Sequence, residues 1–316
     1  VDFFVDCVPA ACDLDLTSPV GTDNQSICLN DAIADIIYTS AGDATNITVT
    51  GLPTGLSAVY NTNVLTISGI PTQTGTFNYT VETVGCSPNL TLNGSITINP
   101  NPVFNSLTVN GPICVGADAN FTLSGTPGAS VFYSIDGAPV QFVVLDGSGN
   151  YVITVSGATS DVTITLAEIE LGSCDIVLTD TATVMVSPTP AVPTITTTPP
   201  TCSADGFSTI SNYDGTVTYT FTPAGPTVGA GGLISGMTLG TSYTVTAGNA
   251  TCTSVDSAPF TNVATLSVPA VPTINVTAPT CSADGFATIT NYDNTLTYTL
   301  TPAGPTVGAG GVVSGM

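Results

Sequence analysis

Short stretches of alternating apolar and small polar residues run along the whole chain. Phe77, Tyr79 and Val81 are separated by Asn78 and Thr80. Val217, Tyr219 and Phe221 are set among Thr216, Thr218, Thr220 and Thr222, and Tyr243 and Val245 among Thr244 and Thr246. A period of two sends one set of side chains to a buried face and the other to solvent, which predicts half-buried β-strands. Residues 120–123, 130–135, 151–155 and 161–166 read the same way, with turn signals at Asp136-Gly137 and Asp146-Gly147. Residues 30–37 (NDAIADII) fit one helical turn or a strand equally well. The expected fold class is all-β, built as tandem β-sandwiches.

The pattern also repeats on a longer scale. Residues 190–237 return as 269–316 at an offset of 79, and 38 of the 48 aligned positions are identical. Repeats of this kind indicate a modular array. The expected organisation is the end of a preceding module at 1–16, sandwiches at 17–100 and 101–188, a repeat at 189–268 and a truncated copy of it at 269–316. NPNP at 99–102, PTPAVP at 188–193 and VPAVP at 268–272 mark the joints. Proline stiffens such joints, so neighbouring modules should string out as an extended array.

Composition narrows the chemistry. There is no Lys, Arg or His, and 22 acidic residues give a net charge of −22. Nucleic-acid binding needs basic side chains on phosphates, so no nucleic-acid partner is expected. Without His there is no Ser/His or Cys/His catalytic pair and no imidazole metal ligand, so neither an enzyme nor a cofactor is expected. No apolar run reaches the roughly 18–20 residues that span a bilayer, so this stretch should not insert in a membrane. The apolar fraction of 42% is ample for packed cores.

The nine cysteines suggest one disulfide per module. Taken in order, they pair as Cys28–Cys86, Cys114–Cys174 and Cys202–Cys252, with separations of 58, 60 and 50 residues. Cys7 and Cys12 would close a short loop in the preceding module. Cys281 is then odd because its partner is expected near position 331, beyond Met316. A metal thiolate reading finds no C-x-x-C spacing to support it. Disulfides indicate an oxidising compartment and an extracellular location.

Other candidates have plainer readings. Glu168 and Glu170 would share one face of a strand, but a glycosidase pair comes from separate elements around a cleft. The Gly-rich run at 223–232 has no Lys after it and reads as a loop rather than a phosphate cradle. Asp205 and Asp284 precede Gly at equivalent repeat positions, and Asp214 and Asp293 follow Asn-Tyr; all four read as turn residues.

Two family resemblances emerge. LPTGLS at 52–57, LTISGIP at 65–71 and GTF at 75–77 resemble the immunoglobulin-like, cadherin/dystroglycan-related domains of bacterial surface proteins. PTCSADG at 200–206, SYTVTAGNATC at 242–252 and GPICVGADANF at 111–121 resemble the tandem repeats of SprB-like giant surface adhesins of Bacteroidota. The resemblance implies immunoglobulin-like sandwiches, type IX secretion and a place on the bacterial cell surface. It also implies O-glycosylation at Asp-Ser/Thr-small sequons, which makes Thr181 and Ser257 candidate sites and covalent O-glycans possible partners. The expected function is a structural stalk of an adhesin used in gliding or attachment. Its partners would be neighbouring modules and surface polysaccharide. The alternative is a set of carbohydrate-binding modules from a secreted enzyme, which the absence of Trp disfavours.

Overall fold

The computed structural model describes residues 11–316. The contacts divide the chain into two compact units, meeting at Pro188 and Thr189. The first unit contains two separate apolar cores, each enclosed by a pair of sheets.

The first sandwich consists of β1 (Asp13–Leu16), β2 (Asn24–Cys28), β3 (Ile36–Ala41), β4 (Asn46–Thr50), β5 (Leu56–Asn61), β6 (Val64–Gly69), β7 (Gly75–Val84) and β8 (Thr91–Asn99). One sheet has the order β1-β3-β6-β5 and the other β2-β8-β7-β4. These are the A-B-E-D and G-F-C orders of an immunoglobulin-type sandwich, with β2 added in parallel along β8. The alternation read from Phe77 to Val81 puts Tyr79 and Val81 in the core with Ile36, Tyr38, Ile67 and Ile96.

Two expectations are corrected here. Residues 13–16 are not the end of another module. β1 pairs with β3, Leu14 opposite Ser40 and Leu16 opposite Tyr38, and Leu14 is buried in this core. Residues 30–35 are neither helix nor strand, and β3 begins only at Ile36. The Gln25 side chain replaces a ladder there. Its Nε2 donates to the Ala34 carbonyl at 2.7 Å, and its Oε1 accepts from the Ala34 amide at 2.8 Å.

The second sandwich consists of β9 (Phe104–Val109), β10 (Ile113–Cys114), β11 (Ala119–Gly125), β12 (Ser130–Ile135), β13 (Gln141–Val144), β14 (Asn150–Val155), β15 (Val162–Leu171), β16 (Cys174–Val177), β17 (Thr181–Val184) and β18 (Val186–Ser187). The sheet β14-β11-β9 faces a sheet in which β13, β12 and β15 are neighbours and β15 also carries β16 and β17. β10 pairs in parallel with β18, as β2 does with β8. A bulge sets the phase of β15. Phe132 is opposite Glu168 while Tyr133 is opposite Leu166, so Ala167 has no partner on β12. The extra residue shifts the alternation, bringing Ile169 fully into the core and leaving Glu168 and Glu170 half-exposed on the outer face.

The second unit consists of β19 (Ile195–Thr198), β20 (Phe207–Ile210), β21 (Thr218–Thr222), β22 (Thr227–Val228), β23 (Ile234–Ser235), β24 (Ser242–Gly248), β25 (Phe260–Thr261), β26 (Ile274–Thr277), β27 (Phe286–Ile289), β28 (Thr306–Val307) and β29 (Val312–Ser314). Ile210, Phe221, Ile234, Tyr243, Val245 and Phe260 form the core of the first repeat; Ala287, Ile289 and Val313 form a smaller one in the second. The Gly-rich run is a loop ending in one turn of 3-10 helix, Ala230–Gly232, matched by Ala309–Gly311. Gly232 and Gly311 have φ of 83°. A Cβ on either would strike the carbonyl oxygen of Ile210 or Ile289, which explains the glycine.

Candidate functional site

The cysteines do not pair in their order along the chain. Cys28 closes β2, and Cys174 opens β16 after the turn at Gly172. These two are bonded, with a Cα–Cα distance of 5.6 Å across 146 residues of sequence. The bond therefore joins the first sandwich to the second. Cys86 follows β7 and is bonded to Cys12, Cα–Cα 6.0 Å. Cys114 and Cys252 are each disulfide-bonded, whereas Cys202 and Cys281 are exposed free thiols.

The expected pairs Cys28–Cys86, Cys114–Cys174 and Cys202–Cys252 are thus corrected. So is Cys7–Cys12, since Cys12 is taken by Cys86 and Cys7 lies outside the described residues. The reason is strand length. β2 runs parallel to β8 with Cys28 opposite Asn99, the last residue of that strand. Cys86 lies before its first residue, Thr91. The nine residues of β8 span roughly 30 Å, whereas a disulfide needs Cα atoms within about 7 Å. The second sandwich repeats the arrangement: Cys114 is opposite Ser187, and Cys174 precedes the strands that lead there. Each module thus carries one cysteine at the end where the chain leaves and one at the end where it enters. In the chain-entropy model, a cross-link over 146 residues stabilises by roughly 5 kcal/mol.

The core of the first sandwich is also tied across its sheets, by hydroxyls. Tyr38 on β3 and Tyr79 on β7 are each only 1% exposed, and their Oη atoms lie 3.0 Å apart. Burial pushes the phenol pKa of Tyr38 up, and burial together with the bond to Tyr38 pushes that of Tyr79 up. Gly94 on β8 leaves room for the Tyr79 ring, since a Cβ there would overlap the ring and its hydroxyl.

Of the glycosylation candidates, Thr181 opens β17 and is exposed. Ser257 is corrected. It is 4% exposed, its Oγ accepts from the Val245 amide at 3.1 Å, and it donates to the Ala258 carbonyl at 3.0 Å. Ser254 does the same one step along, accepting from the Ala247 amide at 2.9 Å. The amides of Ser254 and Ser257 in turn donate to the carbonyls of Ala247 and Val245. Two serines thus satisfy the edge of β24 where no strand pairs with it, and a glycan on Ser257 would break that seam.

The acidic residues hold loops. Asp214 accepts from the amide and hydroxyl of Thr216 at 2.8 and 2.7 Å, and its own amide donates to Tyr219 Oη at 2.8 Å. Asp293 repeats these bonds with Thr295 and Tyr298 at the same distances. These bonds hold both carboxyls below the ordinary range, the Thr216 hydroxyl contributing most at Asp214 and the Thr295 amide most at Asp293. Asp205 accepts from the Thr265 amide at 2.8 Å. Among the described residues, no group of three or more carboxylates and thiols is arranged to hold a metal ion. An open groove of about 770 Å³ runs between β19 and residues 258–263, lined by Pro193, Ile195, Pro200 and Phe260. None of its lining residues ionises, so it offers no acid or base.

No protein-family model and no curated protein matches the sequence. Solved structures with a similar arrangement include an I-band fragment of titin, at 11% identity and a TM-score of 0.48 over 82% of this chain and 99% of that one. An ectodomain fragment of ICAM-5 is 12% identical with a TM-score of 0.42 over 89% and 83%. The first two Ig domains of DIP-gamma are 13% identical with a TM-score of 0.31 over 56% and 97%. The strand order, not these scores, carries the assignment to tandem immunoglobulin-like sandwiches.

Proposed function

We propose that this chain is a load-bearing stalk segment of a bacterial cell-surface adhesin, of the SprB-like kind from Bacteroidota that serves gliding or attachment. The observation that carries this reading is the Cys28–Cys174 bond. It joins two successive sandwiches beside the joint that connects them, so a pull along the chain is shared between the peptide link and a covalent staple. Disulfides persist in oxidising compartments, which suits an exported protein. A charge of −22 without a single cation keeps neighbouring copies apart and suits a spacer better than a binding module. In this reading the chain is exported by a type IX system and carries an O-glycan at Thr181. It touches surface polysaccharide only weakly.

Strands of nine or ten residues, as in β7 and β8, give each module a length of roughly 30 Å. A fluorescent binding domain displayed on a cell through one, two or more modules should therefore rise by about 30 Å per module, measured as its height above the surface. A height independent of module number would overturn the stalk reading. Saturable binding of the purified chain to polysaccharide would favour the carbohydrate-binding alternative.

A further inference from the structure

Cys28, Cys114, Cys202 and Cys281 hold the same place in four successive modules, in the stretch between the first long strand and the next. Cys28 lies between β1 and β3, Cys114 between β9 and β11, Cys202 between β19 and β20, and Cys281 between β26 and β27. Cys86, Cys174 and Cys252 likewise share a place, each just after the long strand β7, β15 or β24. Where both members of a junction are fixed, the exit cysteine of one module is bonded to the entry cysteine of the next, Cys28 to Cys174. In the third module Cys252 is disulfide-bonded while Cys202 is a free thiol, so those two are not bonded to each other.

Cys202 also sits where such a bond would have to start. The carbonyl of Thr201 accepts from the Leu266 amide at 3.0 Å, and Asp205 accepts from the Thr265 amide. These contacts hold the loop around Cys202 against the last residues of its repeat, next to the 268–272 joint. The thiol is exposed there.

We propose that Cys202 is the forward half of a staple between successive 79-residue repeats, and that its partner is the cysteine after the long strand of the following repeat. In a chain continued by its own repeat, the offset of 79 places this counterpart of Cys252 at position 331. Forming the bond removes two protons and two electrons from the two thiols. A small-molecule disulfide such as oxidised glutathione accepts them by exchange through a mixed disulfide and leaves as two thiols.

The test continues the 316-residue chain with a second copy of its own residues 238–268, which completes the second repeat and supplies a cysteine at 331. Free thiols are alkylated in the folded protein after incubation with oxidised and reduced glutathione. Pepsin digestion without reduction then identifies the linked peptides. In the unextended chain both Cys202 and Cys281 should be alkylated. In the extended chain, alkylation of Cys202 should fall at least tenfold, a peptide linking Cys202 to position 331 should appear, and Cys281 should stay alkylated. A link from Cys281 to position 331 would overturn the proposal, because it is the within-module pairing. Full alkylation of Cys202 would overturn it equally. A variant of the extended chain with serine at position 331 should restore full alkylation of Cys202; continued protection would also count against the staple.

Discussion

Replacing Tyr79 by Phe removes the one hydrogen-bond partner that the Tyr38 hydroxyl has among the described residues. That hydroxyl is in the middle of the first core, at 1% exposure, with its partner oxygen 3.0 Å away. An orphaned buried hydroxyl costs about 1–3 kcal/mol. The reverse change, Tyr38→Phe, should cost less, because Tyr79 Oη also lies 3.5 Å from the Asp23 carbonyl and can turn toward it. Removing both hydroxyls leaves no orphan, so the double variant should be less damaged than the two singles added together, with a coupling of about 1–2 kcal/mol. Opening free energies can be read from amide hydrogen exchange of β3 and β7, located on pepsin fragments. Tyr79→Phe should speed exchange there by roughly 5- to 150-fold if those amides exchange through opening of the whole sandwich, and the double variant should recover part of the loss. Strictly additive losses would refute the idea that the two hydroxyls satisfy each other.

Three further outcomes follow from the same geometry. Because Tyr38 and Tyr79 have raised phenol pKa values, the stability they carry is fully present below the ordinary phenol value of about 10 and is lost as pH rises beyond it. The first sandwich should thus lose stability above about pH 10, and the double Phe variant should lose less, which a denaturant series against pH would reveal. Gly94→Ala should destabilise the same sandwich by about 1–3 kcal/mol through overlap with the Tyr79 ring, seen as a lower midpoint with an unchanged denaturant slope. Ser257→Ala should cost about 1–3 kcal/mol by stranding the Val245 amide, and exchange at Val245 should rise while that in the first unit stays fixed.

Much of the architecture was legible from the chain. The period-two runs around Tyr79, Phe221 and Val245 are strands with those side chains inside. Asp214 and Asp293 are in identical loops of the two copies, as their sequence repeats suggest. What could not be read is whatever depends on distance across a module. The order of the cysteines suggests a pair in each module, but the length of β8 separates Cys28 from Cys86 and leaves Cys28 near the next sandwich. The bulge at Ala167 is equally hidden, since one residue unpaired on β12 changes which face the following residues occupy. Gln25 and Ser257 do the work of backbone groups, and nothing in a polar side chain's type announces that role.

Stretching single molecules tests the mechanical account most directly. The Cys28–Cys174 bond locks 146 residues out of the pulling path, a hidden length of about 500 Å at roughly 3.4 Å per residue. In a chain whose Cys12, Cys86, Cys114 and Cys252 are replaced by Ser, so that no other bond bridges this stretch, the fully extended oxidised molecule should be shorter than its Cys28→Ser derivative by about that amount, and reduction should lengthen it equally. An oxidised molecule of that background no shorter than its Cys28→Ser derivative would contradict the claim that successive sandwiches are covalently stapled against load.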